Sequence, residues 1–189
     1  MILGSHNSWS YLRPRKWWQR ALAFTAKCQR KDIEEQYALG VRCFDLRIRF
    51  LHGIPHVVHN NFDYGMFIEH AHWMRWLNNR GDVAVRVVHD VRKAKDYTDD
   101  SVERFRRLCK VLKDDYRNIR FWCGRNLYNY GVDYGFAYHP ACTEMYASVC
   151  SPHLVDDWLP WLYAYRNNAW IRRDEYKPDE ILLIDFVDI

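Results

Sequence analysis

The sequence lacks several features that would assign a protein to a broad class at once. It has no run of eighteen consecutive apolar residues, which excludes a transmembrane helix. It also has no internal repeat, low-complexity tract or linker-like segment, so we expect a single domain over residues 1–189. No Cys-x-x-Cys pair occurs among the six cysteines, which are Cys28, Cys43, Cys109, Cys123, Cys142 and Cys150. We therefore expect free thiols in a reducing compartment rather than disulfides.

Two more absences concern location and partners. Only Ile2 and Leu3 separate Met1 from Gly4, the first residue of a candidate motif, so we expect no signal peptide and a cytoplasmic protein. The net charge of +4 is small for a chain of 189 residues and indicates anionic partners only weakly. We expect no nucleic acid partner, and we expect a monomer.

What the sequence does contain is an alternation of short apolar strands and amphipathic helices. Strands are predicted at residues 41–50, 55–59, 83–88, 119–123 and 181–187, in addition to the apolar start of the chain. Helices are predicted at residues 14–28, 32–40, 67–79, 99–112 and 156–168. This alternation favours an α/β fold with parallel strands. Because a complete (β/α)₈ barrel typically needs about 250 residues, we expect a compact or irregular TIM-like (β/α) barrel with some helices shortened or missing.

The strongest local signal lies at the start of the chain. There the apolar run Met1-Ile2-Leu3 leads directly into the polar motif Gly4-Ser5-His6-Asn7-Ser8. In barrels and open α/β sheets, the residues that follow the carboxyl ends of the strands build the site. His6 is therefore a candidate catalytic side chain, placed at the edge of the sheet by the strand before it.

A second signal is the alternation within residues 41–50, which read VRCFDLRIRF. Successive side chains of a strand point to opposite faces, so Asp45 and Arg47 share one face and the apolar residues share the other. The apolar face must lie under helices, which directs the two charged side chains inward. Buried charges cost several kcal/mol to desolvate unless they pair or meet a charged ligand. Together with His6, and with His59 after the short third strand, they indicate acid–base chemistry on a phosphate.

These pieces together resemble the catalytic half of the phosphatidylinositol-specific phospholipase C family. That family has a Gly-Ser/Thr-His-Asn/Asp-Ser motif at the end of its first strand and a Gln-x-x-x-Gly-x-Arg run leading into the second. A second catalytic histidine follows a short third strand, and the last strand carries a buried aspartate. The corresponding segments here are GSHNS, EEQYALG followed by VRCFDLR, PHVVH and ILLIDFV. The resemblance covers residues 1–90 and 180–189, whereas residues 91–180 cannot be aligned.

The resemblance implies a role for each matching residue. His6 would be the general base, His59 the general acid, and Asp185 the carboxylate that orients His6. Arg47 would hold the phosphoryl oxygens, with Asp45 fixing Arg47 or assisting the acid. Because closing a barrel puts its first and last strands side by side, we expect Asp185 within hydrogen-bond reach of His6.

The resemblance also implies a site without a cofactor. Calcium-dependent members of the family have acidic ligands where the metal-independent bacterial members have an arginine, and Asp45-Leu46-Arg47 is the arginine version. We therefore expect no metal, with Arg47 standing where Ca²⁺ would bind. Asn7 departs from this type, because it is typical of the calcium-dependent branch, where its amide oxygen is a ligand. We expect Asn7 to bind a phosphate oxygen or a polyol hydroxyl instead. His59-Asn60-Asn61 also departs, since the family usually has His-Gly.

Two more arginines are candidate contacts to the substrate. Arg86 lies within a predicted strand and Arg125 follows the carboxyl end of the next one. Either could equally be a structural residue paired with a carboxylate, and the sequence leaves both readings open.

Residues 14–28 carry the candidate membrane contact. At helical spacing Trp17, Ala21, Phe24 and Cys28 share one face, which predicts a core-facing stripe. Trp18 lies among basic residues and could rest on a lipid interface. The membrane enzymes of the family dock through a short tryptophan-bearing helix after the first strand. The resemblance therefore implies peripheral membrane contact through Trp17 and Trp18.

The resulting hypothesis is a phospholipase C-like phosphodiesterase, or phosphorus–oxygen lyase, acting on a phosphoinositide-like or other polyol phospholipid or on a soluble phosphodiester. Two alternatives stay open. One is a metal-dependent glycerophosphodiesterase on the same barrel, although such sites generally need a Glu-x-Asp pair where this chain has Asp45-Leu46-Arg47. The other is a barrel that binds anionic lipid or phosphate without turnover, which the short length and the Asn60-Asn61 departure would permit.

Overall fold

The computed structural model describes residues 1–91, 93, 96–124 and 132–189. Its strands form an eight-stranded sheet. The strands are β1 (Ile2–Ser5), β2 (Cys43–Leu51), β3 (Ile54–His59), β4 (Phe62–Met66), β5 (Ala84–His89), β6 (Arg120–Cys123), β7 (Cys142–Met145) and β8 (Ile181–Ile184). The α-helices are α1 (Trp17–Ala21), α2 (Ile33–Ala38), α3 (Phe67–Arg80), α4 (Asp99–Asp115), α5 (Ala147–Cys150), α6 (Leu154–Trp158) and α7 (Pro160–Asn167). Short 3₁₀ turns lie at Ser8–Tyr11, Ala23–Thr25, Asn168–Trp170 and Arg173–Glu175.

Six of the strands run parallel in the order β6-β5-β2-β1-β8-β7 and curl into part of a barrel. The first and last strands are neighbours, with Gly4 opposite Leu183 and Ser5 opposite Ile184. Parallel pairing of this kind requires crossover connections, which the intervening helices provide. The predicted irregular (β/α) barrel with reduced helices is confirmed.

The barrel is incomplete on the side away from β1. Among the described residues β6 and β7 form no ladder with each other, so they are the two edges of the parallel sheet. A cavity of about 290 Å³ lies there, lined in part by Arg86, Trp122 and Glu144. The expectation that the barrel closes is therefore not met within the described part of the chain, although the expected pairing of the first and last strands is present.

An antiparallel extension, β2-β3-β4, is the feature that the sequence analysis missed. Only His52 and Gly53 lie between the paired residues Leu51 and Ile54, and both have positive φ, 51° and 80°. A two-residue turn with positive φ at both positions makes a hairpin, because a parallel connection needs a dozen or more residues. At the next turn Asn60 takes the left-handed conformation that asparagine tolerates.

The main core lies between the sheet and its two long helices. The alternation read from residues 41–50 is observed: Phe44, Leu46 and Ile48 are fully buried among apolar side chains. That cluster includes Met74 and Leu77 of α3 and Phe105 and Leu112 of α4. The apolar face of β2 thus lies under helices, and its charged face is on the inner side of the curled sheet.

Two helix predictions need correction. Residues 14–28 form only the five-residue α1 and the turn Ala23–Thr25, and Trp17 is 78% exposed rather than buried in a core stripe. A helix of five residues is too short to present such a stripe, and of the four predicted residues only Cys28 is in the core. Residues 156–168 are also not one helix, because Pro160 restricts the residue before it and begins α7 in place of continuing α6. Within the described residues, no helix has both the length and the apolar character that a membrane crossing requires.

Candidate active site

The carboxyl ends of β1 and β8 are fixed to each other by close approach and by one buried amide. A Cβ at Gly4 would lie 2.6 Å from Leu183 Cδ2, so the Leu183 side chain occupies the space that the missing side chain leaves. The Gln29 side chain donates from Nε2 to the carbonyls of His6 and Ile184, both at 3.0 Å. Because of these contacts, His6 and Asp185, which directly follow β1 and β8, lie side by side.

Asp185 is turned into the site by an unusual backbone conformation. Phe186, the next residue, has φ 47°, which for a bulky residue costs on the order of 1–3 kcal/mol and persists only when neighbours enforce it. Here the Asn168 side chain donates to the carbonyls of Asp185 and Phe186, and the Phe186 N–H donates to the Cys28 carbonyl at 2.6 Å. The orientation of Asp185 is thus held from two sides.

His6 lies between a carboxylate and a guanidinium. Its Nδ1 is 2.6 Å from Asp185 Oδ1, and its Nε2 is 2.8 Å from Nη2 of Arg47. A guanidinium can only donate, so Nε2 accepts and the proton of the neutral ring is on Nδ1, where it is donated to Asp185. The predicted contact of Asp185 with His6, across almost the whole sequence, is confirmed.

His59 faces His6 across the site. The two ring centroids are 5.8 Å apart, and the rings meet edge to face. Nδ1 of His59 is 2.9 Å from the Ala26 carbonyl, to which it donates, so Nε2 is the nitrogen left for other partners. The Asn60 amide lies 3.3 Å from this Nε2.

Both histidines are held neutral at ordinary pH. Burial lowers the pKa of His6 to about 3; the charge of Arg47 adds to this, and the charge of Asp185 opposes it. Burial lowers the pKa of His59 to about 4, and the charge of Arg47 again adds to the effect. A group that adds negative charge next to Arg47 would raise both pKa values.

Asp45 binds both arginines of the site. It is fully buried and accepts from Nε of Arg47 at 3.0 Å, from Nη1 of Arg86 at 2.8 Å and from the N–H of Asn7 at 2.9 Å. Burial acts to raise the pKa of Asp45, but the two arginines and the Asn7 N–H together hold that pKa below its ordinary value. The Ser8 hydroxyl accepts the N–H of Asp45 at 2.8 Å, which ties the first motif to β2.

Two residues of the site were missed by the sequence analysis, Glu144 at the end of β7 and Tyr146 just after it. Glu144 is ion-paired with Arg86 and accepts the Tyr146 hydroxyl at 2.6 Å. The Tyr146 ring stacks on His6 with centroids 3.6 Å apart and planes 5° from parallel. Strand β7 has four partly buried residues and no apolar alternation, so the sequence carries no strand signal there.

Cys28 is a third missed member of this neighbourhood. Its thiol is buried, with Sγ 4.0 Å from Nδ1 of His59, and ligand atoms of His6, Cys28 and Asp185 all lie within 4.8 Å of one another. Burial raises the pKa of the Cys28 thiol, and the charge of Asp185 raises it further, so the thiol is protonated. The sequence indicated only that Cys28 is buried.

The predicted substrate contacts have different surroundings. Asn7 is buried in a left-handed conformation, with φ 48°, and its Nδ2 has no hydrogen-bond partner among the described residues. Arg86 is buried and engaged by two carboxylates, those of Asp45 and Glu144, which is the structural alternative raised from the sequence. Arg125 lies outside the described residues.

The short helix α1 lies beside the carboxyl end of the sheet. Nε2 of Gln19 donates to the Asn61 carbonyl, and the Arg15 N–H donates to the Asp63 carbonyl, so α1 is attached to the turn that follows His59. Large apolar side chains here are exposed, and α6 contacts the turn Ala23–Thr25 and extends the same surface. We call this surface the apolar rim; it consists of Trp17, Trp18, Leu22, Phe24, Leu154, Val155 and Trp158.

Together, the fold and the site define an open, irregular (β/α) barrel with two histidines, an arginine and carboxylates at its carboxyl edge. Solved structures share this fold. The protein is similar over 98% of its chain to phosphatidylinositol-specific phospholipase C from Listeria monocytogenes, with 14% identity, a TM-score of 0.63 and 87% of that chain covered. It is similar over the same share to a mutant of phosphatidylinositol-specific phospholipase C from Staphylococcus aureus, with 16% identity, a TM-score of 0.61 and 85% of that chain covered.

At these identities the likeness shows the fold, which is that of the bacterial phosphatidylinositol-specific phospholipases C. No protein-family model matches the chain, and no curated protein matches it in sequence.

Proposed function

We propose that the protein cleaves a phosphodiester of a polyol phospholipid, phosphoinositide-like in its headgroup, as a phosphorus–oxygen lyase. The observation that carries the proposal is the position of His6 between Asp185 and Arg47, with His59 on the opposite side of the site. Two imidazoles on either side of one guanidinium, with His6 neutral and His59 protonated once a phosphate is bound, fit a reaction that takes a proton from one oxygen and gives a proton to another.

The first step is attack by the polyol hydroxyl next to the phosphate. Nε2 of His6 accepts the hydroxyl proton while that oxygen forms a bond to phosphorus. The ring becomes an imidazolium, and Asp185, 2.6 Å from Nδ1, stabilises its charge and fixes the tautomer. Tyr146 stacked on the ring keeps the imidazole plane in place.

In the free protein the acceptor lone pair of His6 is occupied by Arg47. A phosphate anion offers Arg47 a stronger, charge-assisted partner. Nη2 then leaves His6 for an equatorial phosphate oxygen, while Nε stays on Asp45, so substrate binding itself frees the base. The unpartnered Nδ2 of buried Asn7 is a second donor for the same phosphate.

The second step is protonation of the leaving oxygen. Nε2 of His59 is the nitrogen available for this, because Nδ1 is bonded to the Ala26 carbonyl. The charge of Arg47 contributes to the low pKa of His59, and a bound phosphate anion offsets that charge, which raises the pKa towards the operating range of an acid. Nε2 of His59 takes up a proton from solvent when the phosphate binds, and it donates that proton to the lipid oxygen as the bond from phosphorus to this oxygen breaks. The product is a cyclic phosphate that water can open by the reverse proton transfers.

The proposal assigns no metal to catalysis. Arg47 and Arg86 both pair with Asp45. In the proposed reaction Arg47 supplies the positive charge that stabilises the phosphoryl oxygens. A cation at the phosphoryl oxygens would lie against the Arg47 guanidinium, which would repel it.

The proposal includes peripheral contact with a lipid surface through the apolar rim. Its large apolar side chains are exposed close to the end of the sheet that carries His59, and basic residues Arg15, Lys16 and Arg20 accompany them on the segment around α1. Exposed tryptophans with basic neighbours suit the boundary between headgroups and acyl chains.

The direct test is cleavage of phosphatidylinositol in mixed micelles by the wild type and by His6→Ala and His59→Ala. Each substitution should lower turnover by at least about 10²-fold, the contribution of one positioned proton-transfer group. His72→Ala, which removes an exposed histidine of α3, is the matched control and should keep wild-type activity. Near-native activity in either site variant, with circular dichroism and melting temperature unchanged, would show that its assigned role is wrong.

A further inference from the structure

Cys28 brings a thiol into a site where the proposed reaction needs none. Its backbone is fixed by two hydrogen bonds, from the Cys28 N–H to Ser10 Oγ at 3.0 Å and from the Phe186 N–H to the Cys28 carbonyl at 2.6 Å. The thiol is thereby held against the catalytic pair, where ligand atoms of His6, Cys28 and Asp185 lie within 4.8 Å of one another. The second histidine is also near, with Nδ1 of His59 4.0 Å from Sγ.

A ring nitrogen, a thiolate sulfur and a carboxylate oxygen are the three donor types found in zinc sites. Two of the three are poor ligands for Ca²⁺ and Mg²⁺, which prefer oxygen. All three residues are almost completely buried. Each is also positioned by a contact outside the cluster: Cys28 by Ser10, Asp185 by the Ala147 N–H at 3.4 Å, and His6 by its own N–H, which donates to the Ile184 carbonyl at 2.8 Å.

We propose that His6, Cys28 and Asp185 form an inhibitory site for a zinc-like divalent cation. The cation displaces two protons: the proton of the Cys28 thiol passes to solvent, and the proton that Nδ1 of His6 shares with Asp185 moves to Nε2 of the same ring. With Nδ1 bound to the metal, the neutral ring carries its single proton on Nε2. His6 can then no longer accept a proton from a substrate hydroxyl, and Nε2–H also turns from an acceptor into a donor facing Arg47.

Metal binding at this cluster does not depend on the proposed function, whereas inhibition does rest on it. The experiment therefore measures binding first. Metal-free protein is titrated with Co²⁺, whose bond to a thiolate gives a near-ultraviolet charge-transfer band, and Zn²⁺ is then added to displace it. We expect a one-to-one band that Zn²⁺ abolishes and that excess Ca²⁺ leaves unchanged.

Cys28→Ser is the decisive variant and Cys150→Ser, which removes an exposed thiol, is the matched control. Cys28→Ser should lose the band and lower Zn²⁺ affinity by at least about 10-fold. A loss of this size is typical when a residue that only supports a metal ligand is removed, and Cys28 is proposed to bind the metal directly. Cys150→Ser should keep both. His6→Gln, which keeps the thiol but loses the ring, should also weaken binding and serves if Cys28→Ser does not fold.

The outcomes separate the two proposals. A band that survives in Cys28→Ser or disappears in Cys150→Ser, or no band in the wild type, overturns the metal site. A band confined to the wild type and the control, without any diester cleavage in metal-free protein, supports the metal site and counts against the proposed activity. If cleavage occurs, Zn²⁺ should inhibit wild type and Cys150→Ser at the concentration that saturates the cluster.

Discussion

Replacing Asp185 by asparagine changes one oxygen of the site to an amide nitrogen and should remove most of the activity. The structure leaves the amide two orientations, because the Asp185 carboxylate is fixed at both oxygens: Oδ1 faces Nδ1 of His6 at 2.6 Å and Oδ2 accepts the Ala147 N–H at 3.4 Å. Neither orientation reproduces what the carboxylate does.

If the amide NH₂ faces His6, Nδ1 must accept and the ring proton moves to Nε2. Nε2–H then meets Nη2 of Arg47 at a present distance of 2.8 Å, so two donors face each other and the base has no free lone pair. If the amide oxygen faces His6 instead, the tautomer is kept, but the NH₂ faces the Ala147 N–H and no negative charge stabilises the imidazolium. Comparable substitutions of a triad aspartate lower turnover by about 10⁴-fold, and we expect a loss of about 10³- to 10⁴-fold here.

Turnover is measured as release of water-soluble inositol phosphate from phosphatidylinositol micelles, with the melting temperature as the control for folding. A second readout is the ¹⁵N spectrum of the histidine side chains, which reports the tautomer of His6 and should show loss of the pure Nδ1–H form. Asp185 also acts to raise the pKa of His6, so that pKa should fall further in the variant. A folded Asp185→Asn protein with turnover within about tenfold of the wild type would refute the assignment of Asp185 and of its effect on His6.

The same geometry has consequences for the leaving group, for stability and for lipid binding. A diester with a good leaving group should partly restore kcat in His59→Ala but not in His6→Ala, because such a leaving group departs without protonation by the general acid. Equal rescue of both variants would contradict the division of roles. The pKa values of His6 and His59 are about 3 and 4 in the folded protein and 6.5 in the unfolded chain, so unfolding takes up protons at a pH between these values. The contribution of the two neutral histidines to the free energy of unfolding is therefore fully present above pH 6.5 and is lost as the pH falls below it. Urea unfolding should show a loss of roughly 2 kcal/mol per histidine from pH 7 to pH 5, and a smaller loss in His59→Gln; an unchanged pH dependence in that variant would speak against a neutral buried His59. Trp18→Ala should reduce co-sedimentation with anionic vesicles, whereas Val111→Ala, an exposed apolar change on α4, should not; equal binding by both would leave α1 without a docking role.

The residues that sequence patterns could place are those on strands with a clear period. In β2 the alternation puts Asp45 and Arg47 on the inner face because the apolar residues between them must lie under helices. His6 and Asp185 follow the first and last apolar strands, and neighbouring parallel strands bring their carboxyl ends together. Local patterns thus placed the two residues at strand ends, and the family resemblance implied their contact.

The residues that could not be placed depend on tertiary context. Glu144 belongs to a strand of four partly buried residues and Tyr146 directly follows it. The sheet determines that this segment is a strand, and the local sequence does not. The stripe through Trp17 and Cys28 predicted burial from periodicity, yet the α-helix ends at Ala21. Trp17 is therefore exposed, and Cys28 is buried against the active site. Periodicity indicates which face is apolar; it does not indicate where an element ends or what it packs against.

The measurement that tests the central claim most directly is ³¹P NMR of phosphatidylinositol micelles incubated with the protein in excess EDTA. The account predicts appearance of a cyclic inositol phosphate at a rate that added Ca²⁺ does not increase, because Arg47 already supplies the positive charge at phosphorus. Turnover that stops in EDTA and returns with calcium would contradict it and assign the protein to a metal-dependent mechanism, with Asn7 as a ligand. No phosphorus chemistry under either condition would leave a barrel that binds phosphate or lipid without cleaving it.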